Sequence, residues 1–287
     1  MSSNEVTWKD KLKAYTRTPG SLIVMLLVML SAIMTFAVLI FLIVYVLAHG
    51  VPYLKPSIFS LHYTSENASL MPALINTVIM TLLSLLIAVP FGIFAAIFLV
   101  EYAKKGSRFV KLIRITAETL SGIPSIVYGL FGMLFFVTTL NWGMSLLSGA
   151  LTMVIMVLPL IMRTAEEALK SVPDSYREAS FGLGAGKLRT IFTIVLPSAV
   201  PGILAGVILA IGRVVGETAA LLYTSGTVAA VPNSLMGSGR TLALHMYVLS
   251  SEGLHVNQAS ATAVVILAFV LVINGLSGLV ARKIAKG

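Results

Sequence analysis

Long runs of apolar residues constrain this chain more than any other feature of its sequence. Of its 287 residues, 57% are hydrophobic and 11% are charged, whereas a soluble globular domain carries about 25% charged residues. A helix that spans a membrane needs about 20 mainly apolar residues. Six stretches meet this requirement: 22–48, 74–100, 122–141, 144–162, 203–223 and 260–281. We therefore predict an all-α integral membrane protein with six transmembrane helices.

The basic residues are unevenly distributed between the two sides of these predicted spans. The N-terminal tail, the 101–121 and 163–202 loops and the C-terminal tail together hold 17 of the 20 lysines and arginines, whereas the opposite side holds only Lys55 and Arg240. Cytoplasmic loops of membrane proteins are enriched in Lys and Arg. We therefore predict that both termini lie in the cytoplasm. We interpret the net charge of +9 as a topology signal rather than as a nucleic-acid-binding surface.

Two ionisable residues, Arg213 and Glu217, lie inside the predicted fifth span, in the stretch AIGRVVGETAALL. A charge at the centre of a bilayer costs roughly 2.5–3.5 kcal/mol. If one helix covers 203–223, Arg213 lies near its middle, and the four-residue spacing puts Glu217 on the same face. The guanidinium is a planar fork of donors that suits phosphate, and Thr218 could add a hydroxyl. The pair therefore indicates either a substrate path for an anion or a purely structural ion pair.

A short helix is predicted in the 163–202 loop. Ser175 and Glu178 form an S-x-x-E capping-box signature, and Gly184 suits the end of such a helix. Residues 178–197, EASFGLGAGKLRTIFTIVLP, are similar to the EAA loop of ABC importer permeases, E-A-A-x3-G-x9-I-x-L-P, with Ser180 in place of the second Ala. The resemblance implies a type I ABC importer permease fold with a cytoplasmic coupling helix. The residues that it implies for ATPase coupling are Ser175, Glu178, Ala179, Ser180, Leu183 and Gly184. The alternative is an ordinary amphipathic loop helix.

The sequence offers no nucleotide, metal or catalytic site of its own. The stretch GLGAGK (182–187) fails the phosphate-loop pattern G-x4-G-K-[ST], because Phe181 and Leu188 occupy two of its required positions. The chain has no cysteine, and its four histidines lack metal-ligand spacing; we predict that they are surface residues. We expect no catalytic residue, no metal and no cofactor in this chain, with ATP and Mg²⁺ bound by a partner ATPase.

Three further stretches indicate which group of ABC importer permeases the chain resembles. PSIVYGLFG (124–132), RTAEEALKSVP (163–173) and GRVVGETAALL (212–222) resemble the permeases of high-affinity phosphate importers, most closely their A-type subunit. The similarity extends over about 72–281. It implies a permease core at 72–287, preceded at 1–71 by a cytoplasmic tail, the first transmembrane helix and an external loop.

The resemblance also implies a function and partners. The chain would be a multi-pass permease of the cytoplasmic (inner) membrane that moves inorganic phosphate by alternating access. It would form a heterodimer with a homologous C-type permease, and would bind two B-type ATPase subunits and an external phosphate-binding protein. A permease for sulfate, molybdate or phosphonate is the alternative. An intramembrane enzyme is disfavoured because no catalytic motif lies in a span, and an ATPase-independent channel is disfavoured because it has no use for a coupling helix.

Overall fold

The computed structural model describes residues 19–104 and 106–284, and every regular element in these residues is a helix. The chain divides into two compact units, 1–49 and 50–287. In chain order the α-helices are α1 (Pro19–Gly50), α2 (Met71–Ile97), α3 (Arg108–Ser121), α4 (Ser125–Gly132), α5 (Leu146–Ser171), α6 (Asp174–Gly182), α7 (Lys187–Thr190), α8 (Leu196–Val215), α9 (Ala219–Thr224), α10 (Leu242–Glu252) and α11 (Val256–Ile284). Segments of π-helix extend α2 to Tyr102 and α4 to Thr139, and join α7 to α8.

The first unit contains one long helix, α1. It has 32 residues, which at 1.5 Å per residue makes it about 48 Å long. Its large apolar side chains are exposed within this unit. The hydroxyls of Ser31 and Thr35 donate to the carbonyls of Leu27 and Ser31 at 2.8 Å. Because these hydroxyls are satisfied within the helix, α1 suits a hydrocarbon environment, as the prediction of a span at 22–48 requires.

Five helices of the described residues are long and apolar enough to cross a membrane: Gly20–Tyr53, Met71–Tyr102, Leu146–Ser171, Lys187–Val215 and Val256–Leu279. Within the predicted third span, 122–141, the helix runs only from Ser125 to Thr139. It begins at a bend of 100° that separates it from α3. The two helices make a sixth span if they are counted as one broken span.

Pro124 explains this bend. Proline disfavours the helical conformation of the residue before it and lacks the N–H that a continuing helix needs. Helix α3 accordingly ends at Ser121, and α4 begins at Ser125 with Pro124 as its N-cap residue. The Tyr128 hydroxyl donates to the Leu120 carbonyl at 2.7 Å. This bond satisfies a carbonyl in the last turn of α3 and fastens the two helices together.

One helix extends well beyond the apolar run that predicted it. Helix α5 continues past 162 to Ser171. In this extension the Glu166 carboxylate pairs with the Arg114 guanidinium at 2.7 Å and with the Lys170 ammonium at 2.6 Å. The pairs tie α3 to α5. Charged turns stabilised in this way lie outside any apolar pattern, which is why the predicted boundary was too short.

The core of the second unit is formed where α2, α5 and α8 pack together. Met80, Met153 and Val214 are among its fully buried side chains. Close approach between α8 and α5 depends on small residues, because a Cβ on Gly206 would overlap the Thr164 hydroxyl. Small residues let helix backbones approach closely in membrane proteins. The packing positions α8, and therefore Arg213, against the centre of the bundle.

Candidate functional site

The predicted fifth span is broken at the charged pair. Helix α8 ends at Val215, and α9 begins at Ala219 after Gly216, Glu217 and Thr218. The prediction of one continuous helix over 203–223, with Arg213 near its middle, is therefore wrong. The break has a local cause: the Glu217 carboxylate accepts a hydrogen bond from the Ala220 N–H at 3.0 Å. It satisfies one of the free N–H groups at the start of α9.

Arg213 lies in the last turn of α8. This is the end of a helix where the backbone carbonyls favour a cation. Its side chain is half-buried, and within residues 19–104 and 106–284 it forms no ion pair, with Glu217 or any other acid. The structural ion pair between the two residues, which the sequence left open as the alternative to an anion path, is not formed. The donors of the guanidinium are therefore available for another group.

The break in the fifth span is supported from the side by α4. A Cβ on Gly129 would lie 2.8 Å from the Ala220 Cα, so the backbones of α4 and α9 are in direct contact. Thr218, predicted as a substrate-path residue, is half-buried at the break. The stretches 124–132 and 212–222, which the sequence analysis selected separately, thus meet in space around Arg213, Glu217 and Thr218.

Helix α6 is the short helix predicted in the 163–202 loop. It begins at Asp174 after Pro173 and ends at Gly182. Gly184 adopts φ +81°, the left-handed conformation expected of a glycine at a helix end, and this prediction is confirmed. The predicted capping box is wrong: Pro173 is the N-cap residue and no side chain caps the helix. Ser175 therefore lies inside the first turn.

The predicted coupling residues form an exposed surface with one buried anchor. Ser175, Glu178, Ala179 and Gly184 are exposed, and Leu183 is 90% exposed. Ser180 is buried instead, and its hydroxyl hydrogen-bonds the Thr190 hydroxyl at 2.8 Å. A surface cavity of about 550 Å³ opens beside α6, lined in part by Tyr176, Leu183 and Ile194. Tyr176, which lines the same cavity, is also exposed, and exposed apolar side chains grouped in this way are typical of a protein-binding surface.

Arg177 attaches α6 to the rest of the molecule, a role that the sequence analysis missed. Its Nε and Nη2 donate to the Glu101 carboxylate at 3.0 and 2.8 Å. Nη1 pairs with Asp174 at 3.2 Å, and the guanidinium also donates to the carbonyls of Leu169 and Val172 at 3.0 and 2.8 Å. This single side chain therefore joins α6 to the end of α5 and to the π-helical end of α2.

A second unpredicted group lies at the other end of α2. His245, predicted to be a surface residue, is fully buried in α10. Burial, and then the positive charge of Arg240, lower the pKa of His245 to about 3, while the backbone of Ala68 acts in the opposite direction. Arg240 is itself 4% exposed. Both residues are buried by contacts between segments far apart in sequence, and no local pattern marks them.

Comparison with known proteins extends these observations. Residues 88–286 match the family described as "Binding-protein-dependent transport system inner membrane component". The probable ABC transporter permease protein YqgI of Bacillus subtilis is 33% identical over 280 residues, which is 89% of this chain and 94% of that protein. The phosphate transport system permease protein PstA 1 of Mycobacterium tuberculosis is 42% identical over 154 residues, which is 54% of this chain and only 50% of that protein.

Solved structures show the same fold at lower identity. A chain of the bacterial alginate ABC transporter, in complex with an alginate pentasaccharide-bound periplasmic protein, matches with a TM-score of 0.69 and 18% identity, over 98% of this chain and 99% of that chain. A chain of the inward-facing MetNI methionine ABC transporter matches with a TM-score of 0.57 and 18% identity, over 74% of this chain and 93% of that chain. The fold is therefore that of ABC importer permeases.

Proposed function

We propose that this chain, which belongs to the binding-protein-dependent transport system inner membrane component family, is the permease subunit of an ATP-driven importer of inorganic phosphate. As a member of this family it is a multi-pass membrane subunit of a transporter and not an enzyme. Nucleotide hydrolysis belongs to a separate ATPase. Phosphate is supported by the relatives that are named phosphate permeases and by the chemistry of Arg213.

The observation that carries the proposal is the state of Arg213 at the break in the fifth span. A guanidinium that is half-buried, at a helix end and without an ion pair can bind an oxyanion through two parallel N–H donors. Glu217 caps α9, which places its carboxyl group close to the same break. A path that binds its anion weakly lets the anion leave, whereas a tight site would trap it. Arg213 and Glu217 together thus suit a path through which an anion passes rather than a site that retains it.

The proposed assembly follows from the two ends of the bundle. Both termini and α6 face the cytoplasm, where basic residues are concentrated. Helix α6 docks on one of two ATPase subunits, and Arg177 passes its movement to α2 and α5. The permease core, 72–287, pairs with a homologous C-type permease, and the α10 end faces an external phosphate-binding protein. Alternating access then results from closure of the ATPases.

Uptake of labelled phosphate by the assembled complex tests this function, with Arg213→Ala compared with wild type and with Arg213→Lys. Loss of hydrogen bonds to a charged group costs about 1.5–3 kcal/mol, so uptake by Arg213→Ala should fall about ten-fold or more, and Arg213→Lys should retain part of it. Co-purification of all subunits controls for assembly. Full uptake by Arg213→Ala would make this residue structural. Uptake of sulfate in place of phosphate would assign a different oxyanion.

A further inference from the structure

Arg240 lies in the segment between α9 and α10, close to the start of α2. Its backbone N–H donates to the Val228 carbonyl at 3.0 Å, and its carbonyl accepts from the Asn76 amide at 3.2 Å. The preceding residue leaves no space for a side chain, because a Cβ on Gly239 would lie 2.7 Å from the Asn76 amide nitrogen. The backbone is therefore fixed on α2, and this fixes where the Arg240 side chain starts.

The Arg240 guanidinium is buried without a partner that could balance its charge. The side chain is 4% exposed, and within the described ranges its Nε and Nη2 have no hydrogen-bond acceptor. None of the ion pairs formed there includes it. Its one stabilising contact is the Tyr63 ring, whose centroid lies 4.7 Å from the guanidinium carbon. A cation–π contact offsets only part of what burial of a charge costs.

Other polar side chains around Arg240 also have buried atoms without hydrogen-bond partners. The His245 ring meets the same Tyr63 ring edge-on at 6.1 Å. Apart from an oxygen of the ion-paired Glu166, seven buried side-chain nitrogen and oxygen atoms of the described residues lack a hydrogen-bond partner, and six of them belong to Asn76, Arg240, Thr241 and His245. Folded proteins leave few such atoms. Because these atoms are concentrated in one region, we infer that the side chains are arranged to bind a ligand rather than to hydrogen-bond one another.

The chemistry of this group favours an anion. The guanidinium is a permanent cation, and the Thr241 hydroxyl and the His245 imidazole can each donate a hydrogen bond. Tyr63 is half-buried in an otherwise exposed loop at 61–66, so its ring lies between the Arg240 guanidinium and the outside.

We propose that Arg240, Thr241 and His245 form a binding site for a tetrahedral oxyanion, at the end of α2 opposite to α6 and separate from Arg213. Two oxygens of the anion accept from the guanidinium fork, which is the geometry in which Arg binds phosphate. The identification of the ion as phosphate rests on the proposed function, whereas the site itself requires only an oxyanion. In the proposed assembly this site receives the ion before it passes Arg213.

The test is the thermal midpoint of the purified importer complex, without the external binding protein, measured against inorganic phosphate and against sulfate. Wild type is compared with Arg240→Met, which removes the cation but keeps most of the volume. Lys55→Met is the matched control, because it removes an exposed basic residue on the same predicted side. Phosphate should raise the midpoint of wild type and of Lys55→Met by roughly 2–4 °C. Arg240→Met should gain nothing.

The midpoint without added anion separates a binding role from a structural one. Replacing a buried unpaired charge by an apolar side chain should leave the complex at least as stable. An Arg240→Met complex that is less stable than wild type, or that still responds fully to phosphate, would overturn the proposal. So would a phosphate response that disappears in Arg213→Ala and persists in Arg240→Met, since the ion would then bind at Arg213.

Two further outcomes distinguish this proposal from the proposed function. An Arg240-dependent response to sulfate but not to phosphate would support the site and contradict phosphate as the cargo. If no anion shifts the midpoint, while capture of the external binding protein weakens in Arg240→Met and not in Lys55→Met, Arg240 serves protein docking and the anion site is rejected. The importer would remain a phosphate permease in that case.

Discussion

Two arginines at opposite ends of α2, the half-buried Arg177 and the buried Arg240, are held in opposite ways. Arg177 reaches Glu101 at the π-helical end of α2, whereas Arg240 is clamped to Asn76 near its start. These attachment points are about 37 Å apart along the helix. Arg177 donates to two carboxylates and two carbonyls, but the Arg240 guanidinium has no acceptor for its Nε and Nη2 within the described residues and stacks on the Tyr63 ring.

The difference teaches how a buried charge can be used. A charge whose donors are all satisfied by its own chain resists displacement, so the Arg177 cluster can transmit a movement of α6. A buried charge without acceptors makes the empty protein less stable, and it is relieved when an anion arrives. We therefore expect the same substitution to have opposite consequences at the two ends, and the following predictions test this contrast.

The largest effect is expected from Arg177→Met. It leaves the Glu101 carboxylate, which is 8% exposed, without its partner. Breaking a buried pair on one side costs about 3–5 kcal/mol. The thermal midpoint should fall. Phosphate uptake per ATP hydrolysed should also fall, because the ion pairs of Arg177 connect α6 to α2 and α5. The double variant Arg177→Met with Glu101→Gln should recover part of the loss, and strictly additive losses would show that the two residues do not interact.

Arg240→Met should change stability in the other direction. Without added anion, replacement of an unpaired buried charge is expected to be neutral or stabilising by about 1–4 kcal/mol. The measurement is the thermal midpoint in an anion-free buffer, next to that of Arg177→Met. A fall in the midpoint comparable to that of Arg177→Met would mean that the hydrogen-bond donors of Arg240 are satisfied as fully as those of Arg177. The two arginines would then not differ.

The end of α2 that carries Arg240 should also be sensitive to acid. The pKa of His245 is lowered to about 3 in the folded protein from 6.5, so its contribution to stability is complete above pH 6.5 and is lost as the pH falls from there towards 3. The slope approaches about 1.4 kcal/mol per pH unit for one proton. Midpoints measured from pH 7.5 to 5 should fall less steeply in His245→Gln. The exposed His62→Gln is the control, and equal slopes in all three would contradict the prediction.

The smallest effect on stability is expected from Glu217→Gln. The amide oxygen can still accept from the Ala220 N–H, so the free energy of unfolding should stay within about 1 kcal/mol of wild type. Glu217→Ala loses the cap, and its free energy of unfolding should fall by about 1 kcal/mol. Any change in phosphate uptake by Glu217→Gln then reports the charge beside Arg213. A destabilisation equal to that of Glu217→Ala would show that the cap requires the carboxylate.

The sequence predicts those parts of this molecule that depend on nearby residues. Apolar runs locate four of the five long spans, at 22–48, 74–100, 144–162 and 260–281, and Gly184 marks the turn after α6. Pro124 also carried the signal for the bend between α3 and α4, although the length of the apolar run concealed it. The end of α8 at Val215 was missed because it depends on a side-chain cap by Glu217. The four-residue spacing between Arg213 and Glu217 is equally compatible with an ion pair in a continuous helix, so it does not reveal the cap.

The parts that could not be predicted depend on contacts between distant segments. The Asn76 amide meets the Arg240 carbonyl across 164 residues, and Arg177 meets Glu101 across 76. Each arginine appears in the sequence only as one more basic residue on its side of the membrane. Whether such a charge is buried, and whether it finds an acceptor, is decided by packing that no local pattern contains.

The exposed Leu183 at the end of α6 has a consequence for how the importer is made. A permease chain synthesised before its ATPase displays this apolar side chain to the aqueous phase, where chaperones and proteases recognise such groups. If α6 docks on the ATPase as proposed, covering this side chain releases about 1.5–3 kcal/mol, a noticeable share of the marginal stability of a typical domain. Permease produced in excess of ATPase should therefore be short-lived, and the cellular abundance of the two subunits becomes linked through a single leucine.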